Sequence, residues 1–415
     1  MASSGPTTAV PPLPATITST LSSIATTLKL INTPPADSQP SSSSTYAAVP
    51  LYTFLADFAN LTKAHATKLG LLTNPPIAES SYPAIARILA DVTNSVLPVA
   101  SSAPYIASRE RYGSITHEAV VKGIVDTLSA IEEMVRGIEG NIVGSKAEGE
   151  GESKRNEGGR TLQVTDLRQV AAATATKSSY TSTGQIWFSA DALLAISQKH
   201  LIGLVESKLQ SHADMLNDCI AEFKEWVTDG VEELRGEDSG FDEEESSRGS
   251  SSVHADLGPD ADDDDDDFWN TGGGEKAKVT KEILDTAEAT QKKLKLMSIL
   301  YTAALKRRVK DPAARLGGVF TSKVAGEDGK EYTVEKERNG ERLERIVQTS
   351  NALVEKADDM AAAFYDGEEM SAITGLRDEV VGLAVELAEA CRLDRDGGED
   401  APSAWFGKFL ENIKG

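Results

Sequence analysis

The chain has 415 residues, 40% of them hydrophobic, enough for about two or three packed domains, which excludes a wholly disordered protein. Acidic residues outnumber basic ones 65 to 42, for a net charge of −23, and this argues against direct nucleic-acid binding, where phosphate contacts need Lys and Arg. Two distant cysteines, Cys219 and Cys391, make neither a disulfide framework nor a zinc knuckle and fit a reduced, intracellular setting. The first 14 residues show no signal-peptide pattern, and no stretch approaches the roughly 18 apolar residues of a membrane span.

From the N-terminus, residues 1–12 read as a disordered leader. Ile17, Leu21, Ile24, Leu28 and Ile31 then step by 4, 3, 4, 3, which places them on one stripe of an α-helix. Pro34 and Pro35 end it. A second helix carries Leu51, Leu55, Phe58 and Leu61, and a third carries Ile85, Ile88, Leu89, Val92 and Val96, with Pro98 expected to kink or end it. The fourth is the most regular, with Ile124, Leu128, Ile131, Val135 and Ile138 again at 4, 3, 4, 3. It is expected to give way to a Gly/Glu/Lys-rich mobile linker over 144–160.

Helical segments then cover about 162–234, interrupted at Gly184, just before Ile186, Trp187 and Phe188. Leu193, Leu201, Val205 and Leu209 lead into Leu216, Ile220, Phe223 and Val227. From Glu237 to Asp267 the apolar pattern collapses: 14 acidic residues face one basic residue, Arg248, so this interval holds −13 of the total charge. Such a stretch buries too little apolar surface to order itself, and 237–274 is read as a disordered acidic loop.

A helix restarts with Ile283, Ala287, Leu294, Met297 and Tyr301 and ends at Asp311-Pro312. Residues 317–340 look like an insertion with a hairpin turning near Asp328-Gly329, between Val324 and Tyr332–Val334. Two further helices carry Ile346, Leu353, Met360 and Phe364, then Leu376, Val380, Leu383 and Leu387. Trp405, Phe406, Phe409 and Ile413 mark a terminal helix. The expected fold is all-α: two successive antiparallel helical bundles, 13–236 and 275–415, separated by the disordered acidic loop.

Catalytic motifs are absent. The chain has no phosphate-cradling glycine loop, nucleophile elbow, H-E-x-x-H or C-x-x-C. His65, His117, His200, His212 and His254 stand singly, without the paired acid or cysteine that a metal or nucleophile needs. The six consecutive aspartates Asp262–Asp267 lack the alternation and central glycine of a calcium loop. The reading is therefore a non-enzyme, with no catalytic, metal or cofactor residues assigned. Phe268-Trp269 reads either as an aromatic anchor beside a negative brush or as the docking point of the next helix. Lys306, Arg307, Arg308 and Lys310 read either as a short nuclear-import signal or as the basic end of a helix. Ser239, with Asp242 three residues on, fits an acid-directed kinase. Arg160-Thr161-Leu162 is a tripeptide of the cyclin-docking sort that recurs by chance.

Long amphipathic helices, then Gly184-Gln185-Ile186-Trp187, a long helix, an acidic break, Phe268-Trp269 and a Lys-rich helix with Leu294, Lys295, Met297 and Leu300 follow in order. This layout resembles the cyclin-D-interacting protein (GCIP) family over most of the chain. The resemblance implies an all-helical protein without a DNA-contacting basic segment. It further implies binding to D-type cyclins or helix-loop-helix regulators, and restraint of cell-cycle progression or transcription from the cytoplasm and nucleus. The long acidic run, the 144–160 linker and the 317–340 insertion depart from the family pattern. Capture of a partner helix through spaced apolar anchors is the implied mode. Trp226, Val227, Leu234, Trp405, Phe406 and Phe409 are candidate anchors, each read first as a core-packing residue, so the binding site stays unassigned. Two other readings stand beside this one: a helical scaffold of the vinculin or α-catenin kind, and an acidic chaperone for basic proteins such as histones.

Overall fold

The computed structural model describes residues 12–33, 49–74, 77–151, 164–238, 280–325 and 331–414. The leader before Pro12, most of the acidic loop with Ser239, His254 and Phe268-Trp269, and Arg160–Leu162 lie outside the described residues.

The described chain is all-α apart from one hairpin. Its helices are α1 (Leu13–Asn32), α2 (Leu51–Leu72), α3 (Tyr82–Asp91), α4 (Leu97–Ile106), α5 (Arg109–Gly151), α6 (Val164–Asp238), α7 (Lys281–Ala304), α8 (Gly340–Tyr365), α9 (Met370–Arg392) and α10 (Ala401–Lys414). The strands β1 (Val319–Ala325) and β2 (Glu331–Glu337) pair antiparallel on either side of the expected turn, with Val324 opposite Tyr332.

These residues fall into two compact units. In the first, which runs to Glu206 and includes Leu316–Glu344, α1 packs against α3, α4 and α5. Its core holds Ile17, Ile24, Leu55, Phe58, Ile124, Leu128 and Val135. On α1 the expected Leu21 and Leu28 are only partly buried, whereas Thr16, Thr20 and Thr27 are buried. Threonine tolerates this because its hydroxyl finds a partner: Thr16 and Thr27 Oγ1 donate back to the preceding turn, to Pro12 O at 3.3 Å and Ser23 O at 2.9 Å, and Thr20 shares a 3.2 Å hydrogen bond with the Thr93 side chain.

Pro98 neither ends nor breaks its helix. Val92–Val96 widen into a π-helical turn in which Leu97 N–H donates to Val92 O, five residues back. That turn absorbs the ring and the missing donor of Pro98 without ending the helical path. The expected linker at 144–160 is corrected over its first half, since α5 stays helical through Gly151, and 152–160 lie outside the described residues. Lys146, Ala147 and Glu148 are strong helix formers that offset the nearby glycines. Nor does Gly184 interrupt α6. The break comes at His200 (φ 60°, ψ −166°), sixteen residues later.

The second unit comprises Ser207–Arg315 and the chain from Arg345 onward. The division thus falls inside α6 rather than at the acidic loop. Residues beyond Glu206 join the second unit because their apolar stripe finds partners there. Phe223 packs on Phe364 with ring centroids 5.1 Å apart, and His212 Nδ1 lies 2.8 Å from Ser350 Oγ. The inserted hairpin joins the first unit through Glu337 and the residues around it. Within the second unit, α7 packs against α9 and α10, and Leu294, Met297, Leu300, Leu353, Leu387 and Phe406 are buried.

Candidate functional site

The Gly184–Trp187 element lies on an uninterrupted stretch of α6 in the first unit. Ile186 is buried, while Trp187 is 42% exposed and its neighbour Phe188 81% exposed. A Cβ placed on Gly184 would meet nothing within 4 Å, so this glycine serves no packing need. Helix α2 runs alongside. Gly70 approaches Thr183 so closely that a Cβ would stand 2.8 Å from its Oγ1. Lys63 Nζ sits 4.8 Å from the centre of the Trp187 ring and 2.6 Å from Asp191 Oδ1. The cation holds the indole face by attraction to its π-cloud, and Asp191 holds the cation. Leu71, next to Gly70, is 78% exposed. Single exposed apolar groups need no explanation, but adjacent ones such as Trp187 and Phe188 are candidates for a docking surface.

Beneath the first unit's surface, Tyr52 OH donates to Glu337 Oε1, which also accepts the Leu201 N–H at 3.2 Å. The Tyr52 ring meets Tyr112 edge-on at 5.9 Å and His200 at 4.2 Å. Burial, then the Glu337 charge, drives the Tyr52 phenol well above its ordinary pKa, so it stays a neutral donor. Nearby, Gly113 takes φ 80° and breaks the start of α5. Glu344 Oε1 then accepts from the Ser114 and Ile115 backbone N–H groups and from Ser114 Oγ. A carboxylate at a helix N-terminus satisfies orphan donors and meets the positive end of the dipole.

In the second unit the basic stretch after α7 divides its roles. A π-helical turn, Leu305–Lys310, leaves Lys306 and Arg307 exposed and buries Arg308 completely. Arg308 grips Asp400 and the carbonyls of Cys391 and Arg392. Arg308 in the folded chain is therefore a packing residue and not part of a displayed import signal. Arg307 lies 5.4 Å from the Trp405 ring centre. Among the proposed anchors, Val227, Phe406 and Phe409 are buried, and Trp226 and Trp405 are half-buried in aromatic clusters. The Leu234 side chain lies outside the described residues.

The histidines offer little chemistry. Burial and Lys68 lower the pKa of His65, and burial and Lys208 lower that of His212, which favours neutral rings. His117 Nδ1 is 2.9 Å from Ala107 O. Burial first, then Asp358 and Glu222, pushes the Cys219 thiol up to about 11, far from a reactive thiolate. Among the described residues no group of three His, Cys, Asp or Glu side chains is placed to hold a metal, and no helix is long and apolar enough to cross a membrane.

The sequence pattern did not single out Lys63, Asp191 or Leu71, because only the pairing of α2 with α6 brings them to Trp187. What the fold and surface define is an all-α protein with an aromatic helical face. The chain matches no protein-family model and no curated protein.

Proposed function

We propose that this chain is a non-enzymatic protein-interaction regulator that captures a partner helix on the Trp187–Phe188 face of its first unit. The observation that carries the reading is the adjacent exposure of these two rings, one held in place by Lys63. A partner helix with apolar residues at i, i+3 or i+4, and i+7 would lay them over Trp187 and Phe188. D-type cyclins and helix-loop-helix regulators are the first partners to test, on the strength of the family resemblance. Control of cell-cycle progression or transcription, in the cytoplasm and nucleus, is the process that reading implies.

The test measures binding of purified cyclin D and of helix-loop-helix regions to the full chain by calorimetry. Aromatic anchors contribute about 2 kcal/mol or more each, so Phe188→Ala is expected to weaken binding by about 30-fold. Its exposure leaves folding unchanged. Retained affinity in Phe188→Ala and Trp187→Ala removes this face from the mechanism, and failure of every such partner to bind at micromolar concentration removes the regulator reading.

A further inference from the structure

The exposed side of α7 is segregated by charge. After Lys281 its first half shows Glu282, Asp285 and Glu288, and its second half, with the π-helical turn that follows, shows Lys292, Lys295, Ile299, Thr302 and Lys306. The latter step by 3, 4, 3, 4 and so lie on one stripe, about 21 Å from Lys292 to Lys306 at 1.5 Å per residue. Arg307 flanks its end. None of Lys292, Lys295, Lys306 and Arg307 is in an ion pair among the described residues, in a chain of net charge −23. Compensation of the helix dipole accounts at most for Lys306 and Arg307 in the closing π-helical turn, and not for Lys292 and Lys295, which lie well before it. Ile299, 52% exposed, adds an apolar seat in the middle of the stripe.

We propose that this face is the docking site of the chain's own acidic segment, residues 242–269. Two observations select this occupant over others. The first is complementarity: the segment sets 12 acidic residues against Arg248 and ends Asp262–Asp267, Phe268, Trp269. Carboxylates thus meet the lysines and an aromatic pair meets Ile299. The second is tethering. The segment is joined to the end of α6 and to the start of α7, both in the second unit. From Trp269 to Thr280 the chain spans up to about 36 Å when extended, and Ile299 lies about 27 Å along α7 from Lys281. Contact is therefore within reach, and a short tether supplies an effective concentration in the millimolar range. An acidic partner approaching from solution competes against that concentration and against the charge of the whole chain. The docked segment covers Lys306 and Arg307 and keeps the basic stretch from other acidic surfaces. This proposal is independent of the Trp187–Phe188 reading, because it involves neither that face nor that unit.

Zero-length carbodiimide cross-linking of the full chain, mapped by mass spectrometry, tests it. The Lys63–Asp191 pair at 2.6 Å serves as an internal positive control. At low salt, where the screening length is about 30 Å, links are expected between residues 242–267 and Lys292, Lys295 or Lys306. They are expected to persist on dilution and to disappear in about 1 M salt, where the screening length is about 3 Å. Replacing the three lysines by Gln is expected to abolish links from 242–267 into α7 while the control link forms. Absence of α7 links beside a formed Lys63–Asp191 link overturns the proposal. So does their occurrence between isotopically light and heavy chains in a mixture, which would assign the face to a second copy.

Discussion

Arg308 and Asp400 meet as a two-pronged pair, with Nη1 2.6 Å from Oδ2 and Nη2 2.8 Å from Oδ1. The guanidinium is wholly buried, and its remaining donors reach Cys391 O at 2.6 Å and Arg392 O at 2.5 Å, the last carbonyls of α9. Asp400 also accepts the Ser403 N–H at 3.0 Å, while Ser403 Oγ accepts the Asp400 N–H at 2.9 Å, which caps α10 reciprocally. One side chain from the π-helical turn after α7 thus closes the C-terminus of α9 and orders the N-terminus of α10. Removing it takes the guanidinium from Asp400 and the Arg308 donor from the buried Cys391 O, while Ser403 still donates to Asp400 and, through Oγ at 2.6 Å, to Arg392 O. Breaking a buried pair in this way costs about 3–5 kcal/mol. Arg308→Met is expected to lower the urea midpoint accordingly. Arg308→Lys is expected to recover little, because an ammonium cannot reproduce the planar fork. A midpoint within error of the wild type for either variant would rule out the latch.

The same pair sets an acid limit. The Arg308 hydrogen bond is the largest cause holding the Asp400 carboxyl below its ordinary 3.8, at about 2. A depressed folded-state pKa means that the stabilisation is complete above the unfolded value and disappears as pH falls towards the folded one. Thermal melts are therefore expected to lose stability between about pH 4 and 2, and Asp400→Asn to flatten that part of the profile. An unchanged slope in Asp400→Asn would place the acid sensitivity elsewhere.

At the alkaline end the sign reverses. Burial holds the Tyr52 and Tyr301 phenols well above their ordinary 10.0, and each donates a buried hydrogen bond, to Glu337 and to Ser350 O. A raised folded-state pKa gives stability that is complete below the unfolded pKa and falls once pH exceeds it. Stability is expected to decline above about pH 10. Tyr52→Phe is expected to reduce that decline while costing about 1–3 kcal/mol at neutral pH, since Glu337 loses a buried donor. Denaturant titrations of wild type and variant at pH 7 and 11 measure both effects.

The regular helices were readable because their apolar spacing is set by burial alone. Ile124, Leu128, Ile131, Val135 and Ile138 are all buried as their 4, 3, 4, 3 steps predict. The presence of a hairpin between Val324 and Tyr332 followed from turn chemistry, and the structure supplies its register. Spacing failed where polar groups were satisfied by tertiary contacts. Nothing local marks Arg308 as buried, because Asp400 lies 92 residues away. Gly184 carries the residue type of a break and His200 does not, yet the helix breaks at His200. There the Leu201 N–H is taken by Glu337 across 136 residues of sequence. The candidate surface was legible only in part. Its tryptophan belongs to the element that carried the family resemblance, but exposure of Trp187 and Phe188 depends on which side of α6 the neighbouring α2 covers.

The break at His200 leads to a prediction about strain. Its φ of 60° with ψ of −166° lies where only glycine is comfortable, at a cost of about 1–3 kcal/mol for other residues. The ring partly offsets this by packing on Tyr52 at 4.2 Å. Both His200→Ala and His200→Gly delete the ring, so their difference isolates the backbone. The glycine variant is expected to be more stable than the alanine variant by about 1 kcal/mol or more, the reverse of their order inside an ordinary helix. Equal stabilities, or alanine ahead, would show that the break is not imposed by the fold.

Gly113 offers the complementary case, because there the strained position is already glycine. At φ 80° an alanine is disfavoured, and its Cβ would stand 2.6 Å from Glu344 Oε1, displacing the carboxylate from the Ser114 and Ile115 N–H groups. Loss of a helix cap of this kind costs about 0.5–2 kcal/mol, and the positive φ adds to it. Gly113→Ala is therefore expected to destabilise more than Glu344→Ala, which removes the cap without the backbone strain. Glu344→Gln keeps an acceptor but not the charge, so it should fall between wild type and Glu344→Ala. Hydrogen exchange at Ser114 and Ile115 reads the cap itself: both amides are expected to exchange faster in Gly113→Ala and Glu344→Ala than in wild type. Unaltered exchange in Glu344→Ala would mean that these donors find their partner in another group.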